Sequence, residues 1–401
     1  MDDLAEAGSL PRAFNFPWIR TVDLFSLAGF VCCPLLMKGI AVAGQPPVVV
    51  QHVKVYGEAG HFAGWPANHG IWSWGDEVLV GFSRGSSKDN GSDYHIDRGK
   101  AEYFLLARSR DGGVTWSVEE PKPPGALAGT RGMRHAAMPD GLADEHPVEL
   151  RDPIHFTHPD FAMIVRMESP QGGASRISTS YDRGKTWRGP FRLPLFGHKG
   201  IMGRTDYIVN GPEDCLLFLT ATKSDGTEGR PIAVRTVDGG RTWNFLAYIG
   251  PEPHGYAVMP SSVRVSATDL VTTLRMRDFP RRWIDAYVSH DNGRSWAFLS
   301  TPAADTGEGN PPSLVRLADG RLVLTYGYRA KPFRIEARLS GNQGKTWSEP
   351  FVLRGNGGSQ DVGYPRSIVR PDGKIVTVYA FHEINRIDCN IEATIWDPGA
   401  P

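Results

Sequence analysis

The sequence predicts an all-β chain, a six-bladed β-propeller with four-stranded antiparallel blades, and three observations predict it. An eight-residue stretch, Ser109-Arg110-Asp111-Gly112-Gly113-Val114-Thr115-Trp116, returns at 180–187, 236–243, 289–296 and 340–347. Its third residues, Asp111, Asp182, Asp238, Asp291 and Asn342, are 71, 56, 53 and 51 positions apart, the length of one small antiparallel sheet with its loops. The composition, with 46 Gly, 31 Pro and 10% aromatic residues and few long amphipathic patterns, suits many short strands and tight turns.

Taken in order, the chain begins with a segment that resembles a secretory signal. Arg12 and Arg20 precede an apolar run from Leu24 to Met37, and Ala41-Val42-Ala43 offers the small residues a signal peptidase accepts, so 1–43 is expected to be removed before Gly44. The run is short for a membrane span, and none is expected after cleavage. A secreted or periplasmic domain would then occupy 44–401. Cleavage would remove Cys32 and Cys33; Cys215 and Cys389, placed in different blades, are expected to be free and buried.

The apolar strand 47–55 precedes the first repeat and is expected to pair with the last strand, near Ile391–Trp396, closing the ring and shielding its edges. Blades follow at 71–117, 147–188, 204–244, 257–297 and 310–348, and a sixth, without the repeat, at 364–396. Asp-Gly turns such as Ala318-Asp319-Gly320 and Pro371-Asp372-Gly373 join inner strands to their neighbours. Within each repeat the acid accepts backbone bonds of its own turn, the following Gly supplies positive φ, and Trp returns to the sheet interface. Asn342 can still accept such bonds, so the fifth turn should survive.

Formal net charge is zero, with 44 basic and 44 acidic residues, and nothing recommends nucleic acid as a partner. No metal or cofactor is expected. In a propeller, polar residues of the innermost strands converge on the axis. The candidates are Trp65, Asn68, His69, Arg84 and Asp97, then Arg131, Arg134 and His135, then Arg204, Asp206, Arg275 and Arg277, and finally Tyr328, Arg329, Tyr364, Arg366, His382 and Glu383. So many arginines suit a carboxylate-bearing substrate, which guanidinium binds bidentately.

The repeat S-x-D-x-G-x-T-W resembles the Asp-box, or bacterial neuraminidase repeat, and residues 62 to 395 resemble the sialidase superfamily. The resemblance implies a glycan substrate and places an active-site arginine on Arg84, the acid/base aspartate on Asp97 and the tyrosine nucleophile on Tyr364 in Gly363-Tyr364-Pro365-Arg366. It places a triad arginine on Arg275 and another near Arg329 or Arg334. Two positions depart from the pattern. The first triad arginine aligns with Gly64, and the glutamate that activates the nucleophile aligns with Pro260 or Ser261.

A tyrosine nucleophile suits a sugar whose anomeric carbon bears a carboxylate, because it avoids placing a second carboxylate beside the first. The reading is a sialidase-like exo-glycosidase acting on a terminal acidic sugar, with Asp97 and Tyr364 catalytic and Arg84, Arg275, Arg329, Arg204, Arg366 and His69 binding substrate. Its alternatives are a lyase or hydrolase of uronate polysaccharides in which His69 removes a proton, and a glycan-binding propeller without catalysis.

Overall fold

The computed structural model describes residues 45–91, 93–121, 133–169 and 172–400. The leader with Cys32 and Cys33, and the axis candidate Arg131, lie outside the described residues.

The chain is an all-β propeller of four-stranded antiparallel blades. Two blades are separate four-stranded sheets: Tyr256–Arg264, Leu270–Asp278, Arg281–Ser289 and Ala297–Ala303, then Ser313–Arg316, Leu322–Tyr328, Phe333–Ser340 and Phe351–Gly357. In a third sheet the innermost strand is split into Ile201–Met202 and Tyr207–Val209, both paired with Cys215–Thr222, and Glu228–Thr236 and Asn244–Tyr248 complete it.

Six four-stranded blades are the sequence expectation, and the described residues form five sheets. One departure lies at the ring closure. The runs Gly363–Val369, Ile375–His382, Cys389–Asp397 and Ile71–Trp74, Glu77–Ser86, Tyr103–Ser109, Ser117–Glu119 merge into one nine-stranded sheet. The short strand His61–Gly64 joins them, pairing antiparallel with Glu77–Ser86 and meeting Cys389 in parallel at Phe62. The other departure is the unit expected at 147–188, which has three strands, Ala162–Met167, Ser175–Ser180 and Arg188–Arg192. Pro147, Pro153 and Pro159 interrupt the segment that would supply the fourth, since proline donates no ladder bond. Its amides go elsewhere: Val148 N–H to Pro190 O, Ile154 to Gly239 O and Phe156 to Pro212 O, at 2.8, 2.8 and 2.7 Å.

The ring closes as the sequence leads one to expect. Strand Val48–Tyr56 pairs antiparallel with Cys389–Asp397, from Val48 opposite Asp397 to Tyr56 opposite Ile391. The central strands are apolar on both faces because each face meets a different neighbour. Along Cys215–Thr222, Leu217 and Leu219 pack with Val165 and Ile177 of the preceding sheet, whereas Leu216 and Phe218 pack with Leu270 and Leu274 of the next. Cys215 and Cys389 are free and buried.

The five repeats share one turn. In the third, Thr236 Oγ1 donates to Asp238 Oδ1 at 2.8 Å, Thr242 N–H donates to the same oxygen at 2.9 Å, and Thr242 Oγ1 donates to Oδ2 at 2.7 Å. Two successive residues take left-handed φ, Gly239 at 69° and Gly240 at 83°. At the first of these positions Arg183, Asn292 and Gln343 accept the same conformation in other repeats. Asn342 keeps the fifth turn by reversing one bond: its Oδ1 accepts from Thr346 N–H at 2.9 Å, and its Nδ2 donates to Thr346 Oγ1 at 2.8 Å.

This substitution within the chain predicts how the others behave. Asp238→Asn should lower stability by less than about 1 kcal/mol, whereas Asp238→Ala, which strands the amide and hydroxyl of Thr242, should cost about 1–2 kcal/mol. Urea-unfolding midpoints of the two variants check this; equal losses would contradict it.

Candidate active site

Two groups of polar residues meet near the axis, and they differ in kind. The first is a set of internal ties. Arg366 is buried, and its Nη2 donates to Ala67 O at 2.8 Å and Thr205 O at 2.7 Å, joining its strand to the single-turn helix Pro66–His69 and to the third sheet. Asp206 accepts from Ser262 N–H and Oγ at 3.2 and 2.8 Å. Burial raises its carboxyl to about 7 against the opposing pull of Arg366 and Ser262. His69 is 0% exposed. Its Nδ1 accepts from Arg166 Nη2 at 2.6 Å and its Nε2 lies 3.1 Å from Ser83 Oγ, while its carbonyl accepts from Thr205 Oγ1.

That environment corrects one expectation. A histidine that removes a substrate proton needs a free nitrogen and an open face, and His69 has neither; burial first, then the Arg166 charge, hold it neutral.

The second group surrounds Tyr364, which is 8% exposed and stands at a bulge in strand Gly363–Val369 with φ of 50°. A non-glycine residue in this region is strained, and the surroundings must hold it there. The buried amide of Asn310 does so: Oδ1 accepts from Tyr364 N–H at 2.9 Å and Gly327 N–H at 3.1 Å, and Nδ2 donates to Val362 O at 3.2 Å.

The Tyr364 hydroxyl oxygen lies 3.1 Å from Arg275 Nη1, which donates to it, and 3.1 Å from Tyr94 Oη. Arg329 lies 5.0 Å above the Tyr94 ring, anchored by bonds from Nη1 to Gly309 O and from Nε to Gln360 O at 3.1 and 2.7 Å. Burial pushes the Tyr364 phenol up, but Arg275 and Arg329, with the Tyr94 hydrogen bond, outweigh it and bring it down to about 8. Burial pushes Tyr94 upward, so the two hydroxyls are split in acidity.

Aromatic packing fixes Tyr94. Trp65, itself at φ of 62°, meets it edge-on at 5.3 Å and stacks on His135 at 3.8 Å. Burial lowers His135 to about 4 and keeps it neutral. The next residue, His95, donates its backbone N–H to Asp361 Oδ2 at 2.8 Å, and its Nδ1 lies 2.6 Å from the same oxygen. Loop 87–101 is thereby fastened to the loop that leads into Tyr364.

The structure thus brings Tyr364, Arg275 and Arg329 together, and places the other candidates with different partners. Arg84 lies 4.6 Å over the Tyr103 ring, on the side of its sheet that faces Tyr56. Asp97, half-buried, accepts from Gly99 N–H at 3.1 Å in its own turn. Arg204 pairs with Glu228 at 2.7 Å, and Glu383 with Arg386 at 3.2 Å. The two departures from the sialidase pattern are structural too. A Cβ on Gly64 would stand 2.6 Å from the Phe62 ring. Before Pro260, Met259 occupies a bulge like that of Tyr364, with φ of 56°, and packs in the same apolar cluster.

Sequence reasoning missed Tyr94, His95, Asn310 and Asp361. The signal nearest to them was Asp97, which drew attention to the right loop but to a residue three positions beyond Tyr94.

Comparison with known proteins agrees with this architecture. Residues 139–377 match the BNR repeat-like domain. The chain belongs to that family. Among solved structures, a protein of unknown function from Dyadobacter fermentans is similar over 88% of this chain and 99% of its own, at 19% identity and a TM-score of 0.66. The NanB sialidase of Streptococcus pneumoniae is similar over 85% of this chain and 69% of its own, at 11% identity and 0.53. An alpha-L-arabinanase of Penicillium chrysogenum is similar over 88% and 99%, at 13% and 0.56. No curated protein matches the chain.

The His95–Asp361 pair makes stability depend on pH. The hydrogen bond and charge of Asp361, helped by Asp89 and Asp93 and opposed by burial, raise His95 above its ordinary 6.5, while the His382 ring lies tilted against it at 4.8 Å. A raised folded-state value means that the stabilisation is complete below 6.5 and is lost as pH rises through the higher folded value. The stability difference between the wild type and Asp361→Asn should therefore be constant in mild acid and shrink with rising pH. Urea midpoints measured from about pH 5 to 9 test it, and a difference that grows with pH would refute the assignment.

Proposed function

We propose that this protein is an exported, six-bladed sialidase-like glycoside hydrolase that removes a terminal acidic sugar from glycans. The observation that carries the reading is the Tyr364 hydroxyl held between Arg275 and the Arg329 charge. Two guanidinium groups beside one phenolate leave one positive charge to bind a single carboxylate, and an ionised tyrosine is a nucleophile that such a sugar tolerates. Similarity to a sialidase and to an alpha-L-arabinanase supports glycoside hydrolysis. The charge around Tyr364 favours an acidic sugar over arabinose.

In this mechanism Tyr364 Oη attacks the anomeric carbon as the glycosidic bond breaks. Asp97, in the loop that also carries Tyr94, is the proposed proton donor to the leaving oxygen. Arg275 and Arg329 bind the carboxylate and ease the ionisation of Tyr364. The leader 1–43 supports export, and among the described residues no helix is long and apolar enough to cross a membrane.

Hydrolysis of nitrophenyl and natural glycosides of sialic acid, a uronic acid and arabinofuranose tests the proposal. Turnover should be confined to the acidic sugars. Tyr364→Phe should abolish it, and Asp97→Asn should slow natural substrates about a hundred- to ten-thousand-fold while the nitrophenyl substrate is partly spared. Saturable binding of acidic glycans without any turnover would replace the hydrolase by a glycan-binding propeller.

A further inference from the structure

A tyrosine nucleophile ordinarily needs a base to take its proton, and the position where the resemblance places such a base holds no carboxylate. Pro260 or Ser261 stands there, and Met259 just before them is packed in the cluster that contains Trp65 and Tyr364. What touches the Tyr364 oxygen is Arg275 Nη1 and the hydroxyl of Tyr94, each at 3.1 Å.

We propose that Tyr94 is the residue that readies Tyr364 for attack, acting as a hydrogen-bond donor to its phenolate form rather than as a base. This rests on the reading of Tyr364 as the nucleophile and assigns its activation to a residue outside the sialidase pattern.

The direction of the bond follows from charge. A guanidinium can only donate, so Arg275 presents a proton to the Tyr364 oxygen and favours its ionised form. Burial and the neighbouring Tyr364 charge push the Tyr94 phenol upward, so Tyr94, packed edge-on against Trp65, keeps its proton. Its O–H therefore donates to Tyr364, and two donors converge on one oxygen. Hydrogen bonds to the charged form lower the acid's pKa, and a phenolate so held needs no base within reach.

The step balances without one. A lone pair of the Tyr364 oxygen forms the bond to the anomeric carbon while the glycosidic electrons leave with the departing oxygen, which takes the proton of Asp97. Water then adds to the anomeric carbon and returns a proton to Asp97, and Tyr364 leaves with its bonding pair as phenolate. Tyr94 retains its proton throughout; it supports the phenolate before attack and again on release. Tyr94 is thus a positioning residue, and the adjacent His95–Asp361 pair is what holds its loop at the right height.

Ultraviolet titration of tyrosinate reads this directly and requires no substrate. In the wild type one tyrosine should ionise near pH 8, and that transition should vanish in Tyr364→Phe. Tyr94→Phe preserves the ring against Trp65 but removes the donor, and should move the transition up by about one unit; Tyr94→His, which restores a donor, should bring it part of the way back. The acidic limb of the kcat/KM profile should shift in step. A transition unmoved in Tyr94→Phe, or a wild type whose tyrosines all ionise above about pH 10, overturns the proposal. The two readings fail separately. Absence of hydrolysis with the titration as described removes the hydrolase and leaves the tyrosine pair, whereas hydrolysis that needs Tyr364 but ignores Tyr94→Phe removes the pair alone.

Discussion

Closure of the ring is the constraint on which the candidate site depends. The strand Val48–Tyr56 completes the last run of the chain by pairing with Cys389–Asp397, and His61–Gly64 then carries the backbone across to the first run. Residues far apart in sequence are neighbours as a result. Tyr94 and His95 on one side meet Tyr364 and Asp361 on the other, and every bond between these loops spans the seam. Such contacts close a very long loop, so they have to be supported by a large buried surface before they can contribute. The merged nine-stranded sheet and its apolar cluster supply that surface.

Within that frame, the electrostatics of the site come from a mismatch between burial and charge. Arg275 and Tyr364 are both enclosed, and each alone would favour its neutral form. Placed 3.1 Å apart, they favour ionisation in each other. The strained backbone at Tyr364 belongs to the same arrangement, since the left-handed bulge re-aims a side chain that a regular strand would point elsewhere. Asn310 holds this conformation through three backbone groups, and so links the geometry of Tyr364 to the adjacent blade.

The architecture was legible because it repeats. Five copies of one turn announce their spacing, and the turn chemistry of Asp238 or Asn342 is complete within eight residues. The site was legible in part: Tyr364, Arg275 and Arg329 stand on or beside strands whose register the repeats define. Tyr94 lies in loop 87–101, where no period constrains its position, and its importance comes from a partner 270 residues away. Asp361 and Asn310 act through backbone groups that leave no mark on sequence patterns. The fourth strand expected near 147 failed for a reason visible in the sequence, the spacing of its prolines, but the destinations of its amides are tertiary.

Arg366 has a further consequence. By bonding Ala67 on one side and Thr205 on the other, its guanidinium holds together elements that the chain reaches at three distant points. Loss of this one side chain would therefore release the single-turn helix and the third sheet from the last run of strands at once.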